Sequence, residues 1–167
     1  MWLIGGILLG AHWLLAGCAT GRIVDGMYRD SAYGYEVRLP TAPWVLVSLD
    51  GATLSFKAPV LGAAMAMDVE CKDPEEGELP WVARHLFFGL RDTRVQERVA
   101  FRLHGVEGFR SRLLATLDGL AVEVEGVTAR RGGCLYDFMY SAPPAEFPRG
   151  RPDFEAFVNS LTPLTQP

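Results

Sequence analysis

Through the body of the chain apolar and polar residues alternate, a period-two pattern that predicts antiparallel strands with one solvated face. Turn dipeptides punctuate it. Asp50-Gly51 separates Trp44–Leu49 from Ala52–Ala58, Asp118-Gly119 separates Phe109–Leu117 from Leu120–Ala129, and Gly132-Gly133 leads into Cys134–Ser141. Such pairs tolerate the positive φ that tight hairpins require. His104-Gly105 supplies a fourth turn, and Ala63–Lys72 reads as a further strand. Val95, Glu97, Val99, Phe101 and Leu103 fall on one face of their segment, with Gln96, Arg98 and Arg102 on the other, so a half-buried strand is expected there.

Two segments change to helical spacing. Leu79, Val82, Ala83, Leu86, Phe87 and Leu90 form one stripe, with Pro80 near the first helical position, where its missing N–H costs little. Phe154, Phe157, Val158 and Leu161 form the second, opened by Pro152 and by Asp153, whose charge suits a helix N-terminus. Both stripes need an apolar surface to cover. The economical arrangement is an α+β layer fold, an antiparallel sheet of about five to seven strands with the two helices packed on it.

Ahead of this pattern lies an uncharged apolar run from Trp2 to Leu14, followed directly by Leu15-Ala16-Gly17-Cys18. The tetrapeptide resembles a bacterial lipobox. The resemblance implies a signal peptide over residues 1–17, cleavage before Cys18 and acylation of that cysteine, with two or three chains giving stable anchoring where one is marginal. Met1–Ile4 carries no basic side chain, where secretory signals usually open with one. A membrane-spanning helix needs about 20 apolar residues, and this run is shorter and broken by Gly5, Gly6 and Gly10. Ala19, in place of aspartate, follows the cysteine; by resemblance to lipoprotein sorting in enteric bacteria, this implies the outer membrane, with the protein facing the periplasm.

The remaining chain suits one domain with a sizeable core. The expected organisation is a lipidated tether over 18–31, a single α+β domain over 32–162 and a tail over 163–167. All 16 Lys and Arg and all 20 Asp and Glu follow Cys18, leaving a net charge of −4 and no basic stripe, so nucleic acid is not an expected partner.

Gly34-Tyr35-Glu36-Val37-Arg38-Leu39-Pro40, then Trp44, an intervening helix, a late meander and the closing Phe154…Phe157-Val158…Leu161 helix resemble the PsbP-like fold. The resemblance implies a scaffold or accessory protein and transfers no catalytic residue.

With Cys18 assigned to lipid, Cys71 and Cys134 remain, both in expected strands. In an oxidising compartment they form a disulfide if their strands bring the Cα atoms within about 7 Å. Two buried thiols are the alternative; a metal site lacks the nearby histidines it would need. No catalytic constellation is evident. His85 and His104 read as surface residues, and pairing either with Ser111 or Ser141 lacks both a strained Gly-x-Ser-x-Gly elbow and a placed acid. No cofactor is implied. Asp73, Glu75, Glu76 and Glu78 read as a solvated acidic loop rather than a calcium loop, and Arg130-Arg131 as a hairpin tip able to meet lipid headgroups or a partner.

The apolar stretch Pro59–Met67 is the most suggestive for binding. Leu61, Met65 and Met67, with Leu86 and Phe87 of the first helix, are candidates for an apolar ligand or partner surface, because methionines line adaptable grooves; equally, the methionines point into the core. Two functional readings follow. One is a membrane-tethered, non-catalytic module serving an envelope protein partner; the alternative is a carrier or sensor of a small apolar ligand or lipid. A cavity lined by Met65, Met67, Leu86 and Phe87 would favour the carrier, a solid core with an exposed apolar patch the module.

Overall fold

The computed structural model describes residues 21–71 and 76–164. The lipobox with Cys18, together with Asp73 and Glu75 of the acidic loop, lies outside them. The chain builds two antiparallel sheets. The smaller comprises β1 (Gly21–Val24), β2 (Met27–Asp30), β3 (Tyr35–Arg38) and β11 (Thr162–Pro163), in that spatial order. The larger contains β4 (Val45–Val47), β5 (Leu54–Ala58), β6 (Ala63–Glu70), β7 (Arg91–Leu103), β8 (Val106–Leu117), β9 (Leu120–Arg131) and β10 (Cys134–Ala142), ordered β4-β5-β6-β10-β9-β8-β7. This is the expected α+β architecture, with the helices α1 (Leu79–Val82) and α2 (Phe147–Asn159).

The hairpins form where the turn dipeptides stand. Asp118 (φ 50°) and Gly119 (φ 82°) close β8 onto β9 with Leu117 opposite Leu120, a left-handed pair that matches the twist of the flanking strands. Asp25 (φ 52°) and Gly26 (φ 72°) do the same for β1 and β2. Strands therefore begin at Gly21, inside the stretch expected as tether. At the other end β11 pairs with β3, and Leu164 N–H bonds the Gly34 carbonyl at 2.9 Å, so the fold also takes in the start of the expected tail.

One face of the large sheet carries Phe56, Met65, Met67, Val127, Phe138 and Tyr140 against α2 and the small sheet. Phe157 of α2 meets Phe56 and Phe138 edge-on, with ring centroids 5.5 and 5.3 Å apart. Helix α2 starts at Phe147, earlier than the Pro152 start expected from the apolar stripe. Phe147 is buried and takes a hydrogen bond on its carbonyl from Tyr140 Oη at 2.9 Å, while Gly150 is seated so close to Tyr140 that an added Cβ would lie 2.6 Å from that hydroxyl. Packing thus carries the helix through Arg149–Pro152, a stretch without a period.

The other face is covered by α1 and the 3₁₀ turn Ala83–Phe87. The single longer helix expected over Leu79–Leu90 is replaced by this tighter pair. Leu86 and Phe87 lie over Gly126 of β9, within 2.9 and 2.8 Å of where a Cβ would stand.

Strand β7 also differs from expectation. A bulge at Gln96 puts Val95 opposite Leu113 and Glu97 opposite Arg112, so Val95 leaves the face it was expected to share with Val99. β7 is the sheet's edge, and Val95 and Val99 are both exposed.

Candidate functional site

Register sets Cys134 at the start of β10 beside Cys71, just past the end of β6, with Leu135 opposite Glu70. The two cysteines form a disulfide, Cα atoms 4.2 Å apart, closing a separation of 63 residues. Leu61, Met65 and Met67 are buried on the α2 face of the sheet, whereas Leu86 and Phe87 cover the opposite face at Gly126. These five residues do not converge on one surface. The sheet stands between them.

A cavity of about 410 Å³ lies elsewhere, where β3 and β11 meet the turn ends of the β7–β8 and β9–β10 hairpins. Leu103, Val106, Ala129, Leu161, Pro163 and Leu164 give it aliphatic walls, and Tyr33, Tyr35 and Tyr136 aromatic ones. Each wall is pinned. Asp30 Oδ1 accepts from the Ala32 and Tyr33 amides at 2.9 and 3.0 Å, shaping the turn that carries Tyr33. His104 Nε2 donates to the Asn159 carbonyl at 2.7 Å, joining the β7–β8 turn to the end of α2. Ser160 Oγ accepts from the Arg38 amide at 2.9 Å and ties β3 to the same helix end. The disulfide holds Cys134, itself a lining residue.

The polar side chains on this cavity are the three tyrosines, His104, Arg131 and Thr162. The Tyr35 hydroxyl is buried without a well-formed hydrogen bond. Burial, reinforced by the neighbouring Tyr28 and the Asp30 carboxylate, pushes its pKa far above the ordinary phenol range. Tyr136, whose ring meets Tyr35 edge-on at 5.4 Å, is raised by burial and partly offset by the charge of Arg131. The two arginines of the hairpin tip part company because consecutive strand residues face opposite ways: Arg130 reaches the Gly77 carbonyl at 2.7 Å, whereas Arg131 lines the cavity.

Charge also gathers at the far end of α2. Arg110, Glu125, Arg151 and Glu155 interlock, with Glu125 fully buried and 2.9 Å from Arg110 and 2.8 Å from Arg151. Arg112 continues the cluster to Glu123 at 2.8 Å. On the opposite face His85 Nε2 lies 3.1 Å from Asp137 Oδ2, and Asp137 Oδ1 accepts from buried Thr128 at 2.6 Å. The histidines thus contact Asp137 and a backbone carbonyl, and the Thr128 hydroxyl is turned to the carboxylate.

No protein-family profile matches the chain, and no curated protein does. Among solved structures, the cyanobacterial PsbP (CyanoP) from Synechocystis sp. PCC 6803 superposes with a TM-score of 0.62 at 16% identity, over 93% of this chain and 98% of that one. The fold is PsbP-like. LpqN of Mycobacterium tuberculosis, described as involved in cell envelope biogenesis, has a TM-score of 0.58 at 11% identity, covering 78% of this chain and 83% of its own. A Pseudomonas aeruginosa protein of unknown function matches at 0.54 and 16%, over 84% and 97% of the two chains. None of these descriptions names a catalytic activity, and identities this low carry the PsbP-like fold alone. Among the described residues, no helix is long and apolar enough to cross a membrane.

The sequence alone does not reveal the cavity, because four separated segments build it. The sequence places Arg131 at a hairpin tip, but nothing local signals that Tyr35, Leu103 and Leu161 converge beside it.

Proposed function

We propose that the protein is a non-catalytic accessory module of the bacterial cell envelope, anchored through acylated Cys18 to the outer membrane and facing the periplasm, and that it acts by binding an envelope protein. The observation that carries this reading is Phe88, 95% exposed directly after the 3₁₀ turn. Gly89, the next residue, borders one hollow with Arg91, Thr116, Asp118 and Gly119, and the β8–β9 turn that contributes to it also carries exposed Leu117 and Leu120. Clustered exposed apolar side chains mark interaction surfaces, and aromatic anchors dominate their binding energy. The envelope role described for LpqN supports the setting, and the lipobox supports the anchor.

Two measurements test the two halves. Cys18→Ser should abolish labelling by a fatty-acid analogue and release the protein from the membrane fraction; label persisting on the variant overturns the anchor. Photocrosslinking from a benzophenone amino acid at position 88 of the native lipoprotein should yield one discrete adduct, lost when Leu120→Ser is added. Failure to capture any envelope protein from this position overturns the docking surface.

A further inference from the structure

The cavity between the small sheet and the hairpin ends is lined by fifteen residues, and none is an aspartate or glutamate. In a chain of net charge −4, the lining itself holds no acid, and the carboxylate that acts on its Tyr35 and Tyr136 hydroxyls, Asp30, is buried behind the wall. The ionisable groups other than phenols are Arg131 and His104, and no carboxylate pairs with Arg131 among the described residues. His104 uses Nε2 on the Asn159 carbonyl. Arg131 is therefore the cation left for a ligand. It lines the same cavity as the Tyr136 hydroxyl, on which its charge and that of Asp30 act in opposite senses.

The walls say what the rest of the ligand is. Leu103, Val106, Ala129 and Leu161 offer no hydrogen bonds, and the volume of about 410 Å³ falls within the range of small-molecule sites, roughly 300–1,000 Å³. An apolar pocket with one unpaired guanidinium at its edge suits a ligand with an apolar body and one anionic end, because a planar guanidinium binds a carboxylate through two parallel hydrogen bonds. We propose that this cavity binds a small single-chain carboxylate, its alkyl or aryl body between the sheets and its carboxylate on Arg131. The proposal stands independently of the lipid anchor and of the Phe88 surface.

Both sheets and the core lie within residues 21–164, so a chain starting at Ala19 retains every contact described above and serves for the test. Titration calorimetry with decanoate should show saturable one-to-one binding. Arg131→Gln should weaken decanoate at least tenfold and leave decanol unchanged, and Val106→Trp, which fills the cavity, should abolish binding of both. Near-ultraviolet circular dichroism checks that each variant is folded. Absence of saturable decanoate binding overturns the proposal, as does Arg131→Gln binding decanoate as tightly as the wild type. Equal binding of decyltrimethylammonium by the wild type also overturns it, since the site would then select only for an apolar chain.

Discussion

The carboxylate of Glu125, fully buried in β9, accepts a hydrogen bond from Arg151 Nε of α2 at 2.8 Å. This ion pair joins the polar side of the helix to the sheet together with Arg110–Glu155, and Arg110 approaches the Glu125 carboxylate from β8 at 2.9 Å. Removing one member of a buried pair leaves its partner charge desolvated and unmatched.

Glu125→Gln should therefore destabilise by about 3 kcal/mol, the low end for breaking such a pair, since Arg151 is partly exposed and Glu155 remains to both arginines. Urea unfolding measures it. A midpoint equal to that of the wild type would show that the arginines repartner without loss.

Phe157→Ala should cost about 3–5 kcal/mol, because Phe157 is buried and makes edge contacts with both Phe56 and Phe138. A short helix has little stability without such packing. Decanoate affinity of the surviving folded fraction should not change, since Phe157 does not line the cavity.

Reducing Cys71–Cys134 should lower stability by about 4 kcal/mol in the chain-entropy treatment, given the 63-residue separation. Alkylation of the denatured, unreduced protein should find neither thiol free. The Cys71→Ser, Cys134→Ser double variant should lower the melting temperature to that of the reduced protein.

Two of the shifted groups give the sign of the pH dependence at its two ends. A hydrogen bond from Arg110 holds the Glu155 pKa below its ordinary 4.5, against the desolvation that would raise it. The folded state thus prefers the carboxylate, so this stabilisation is full above the ordinary glutamate value and is lost as pH falls through the depressed one. Tyr140 behaves in the opposite sense. Burial pushes it from 10 up to about 12, the folded state prefers the phenol, and its contribution is lost as pH rises from 10 towards 12. Urea midpoints across pH should fall at both ends, and Glu155→Gln should flatten the acid limb.

Local chemistry alone determined the hairpins. Asp50-Gly51, Asp118-Gly119 and Gly132-Gly133 each combine a turn that accepts positive φ with flanking alternation, so strand, turn and partner strand are specified within a few residues of one another. The Phe154, Phe157, Val158 face of α2 was legible for the same reason, as a stripe with a single period. Asp25-Gly26 carried the same turn signal, and it went unread because the strands on either side are only four residues long.

What the tertiary structure decided are the features that depend on who lies opposite. One extra residue at Gln96 sends Val95 to the other face, and the alternation along β7 does not reveal it because it depends on pairing with β8. Helix α2 extends back to Phe147 because Tyr140 and Phe147 pack there, although the apolar stripe has it open at Pro152. Met65 and Leu86 seemed able to share a surface until β9 and β10 came between them. The cavity is the extreme case: Tyr35, Leu103, Arg131 and Leu161 are far apart in the chain, and only sheet pairing and the Cys71–Cys134 bridge bring them together. Period and turn chemistry act over a few residues, whereas a concave site is a property of the space left between elements.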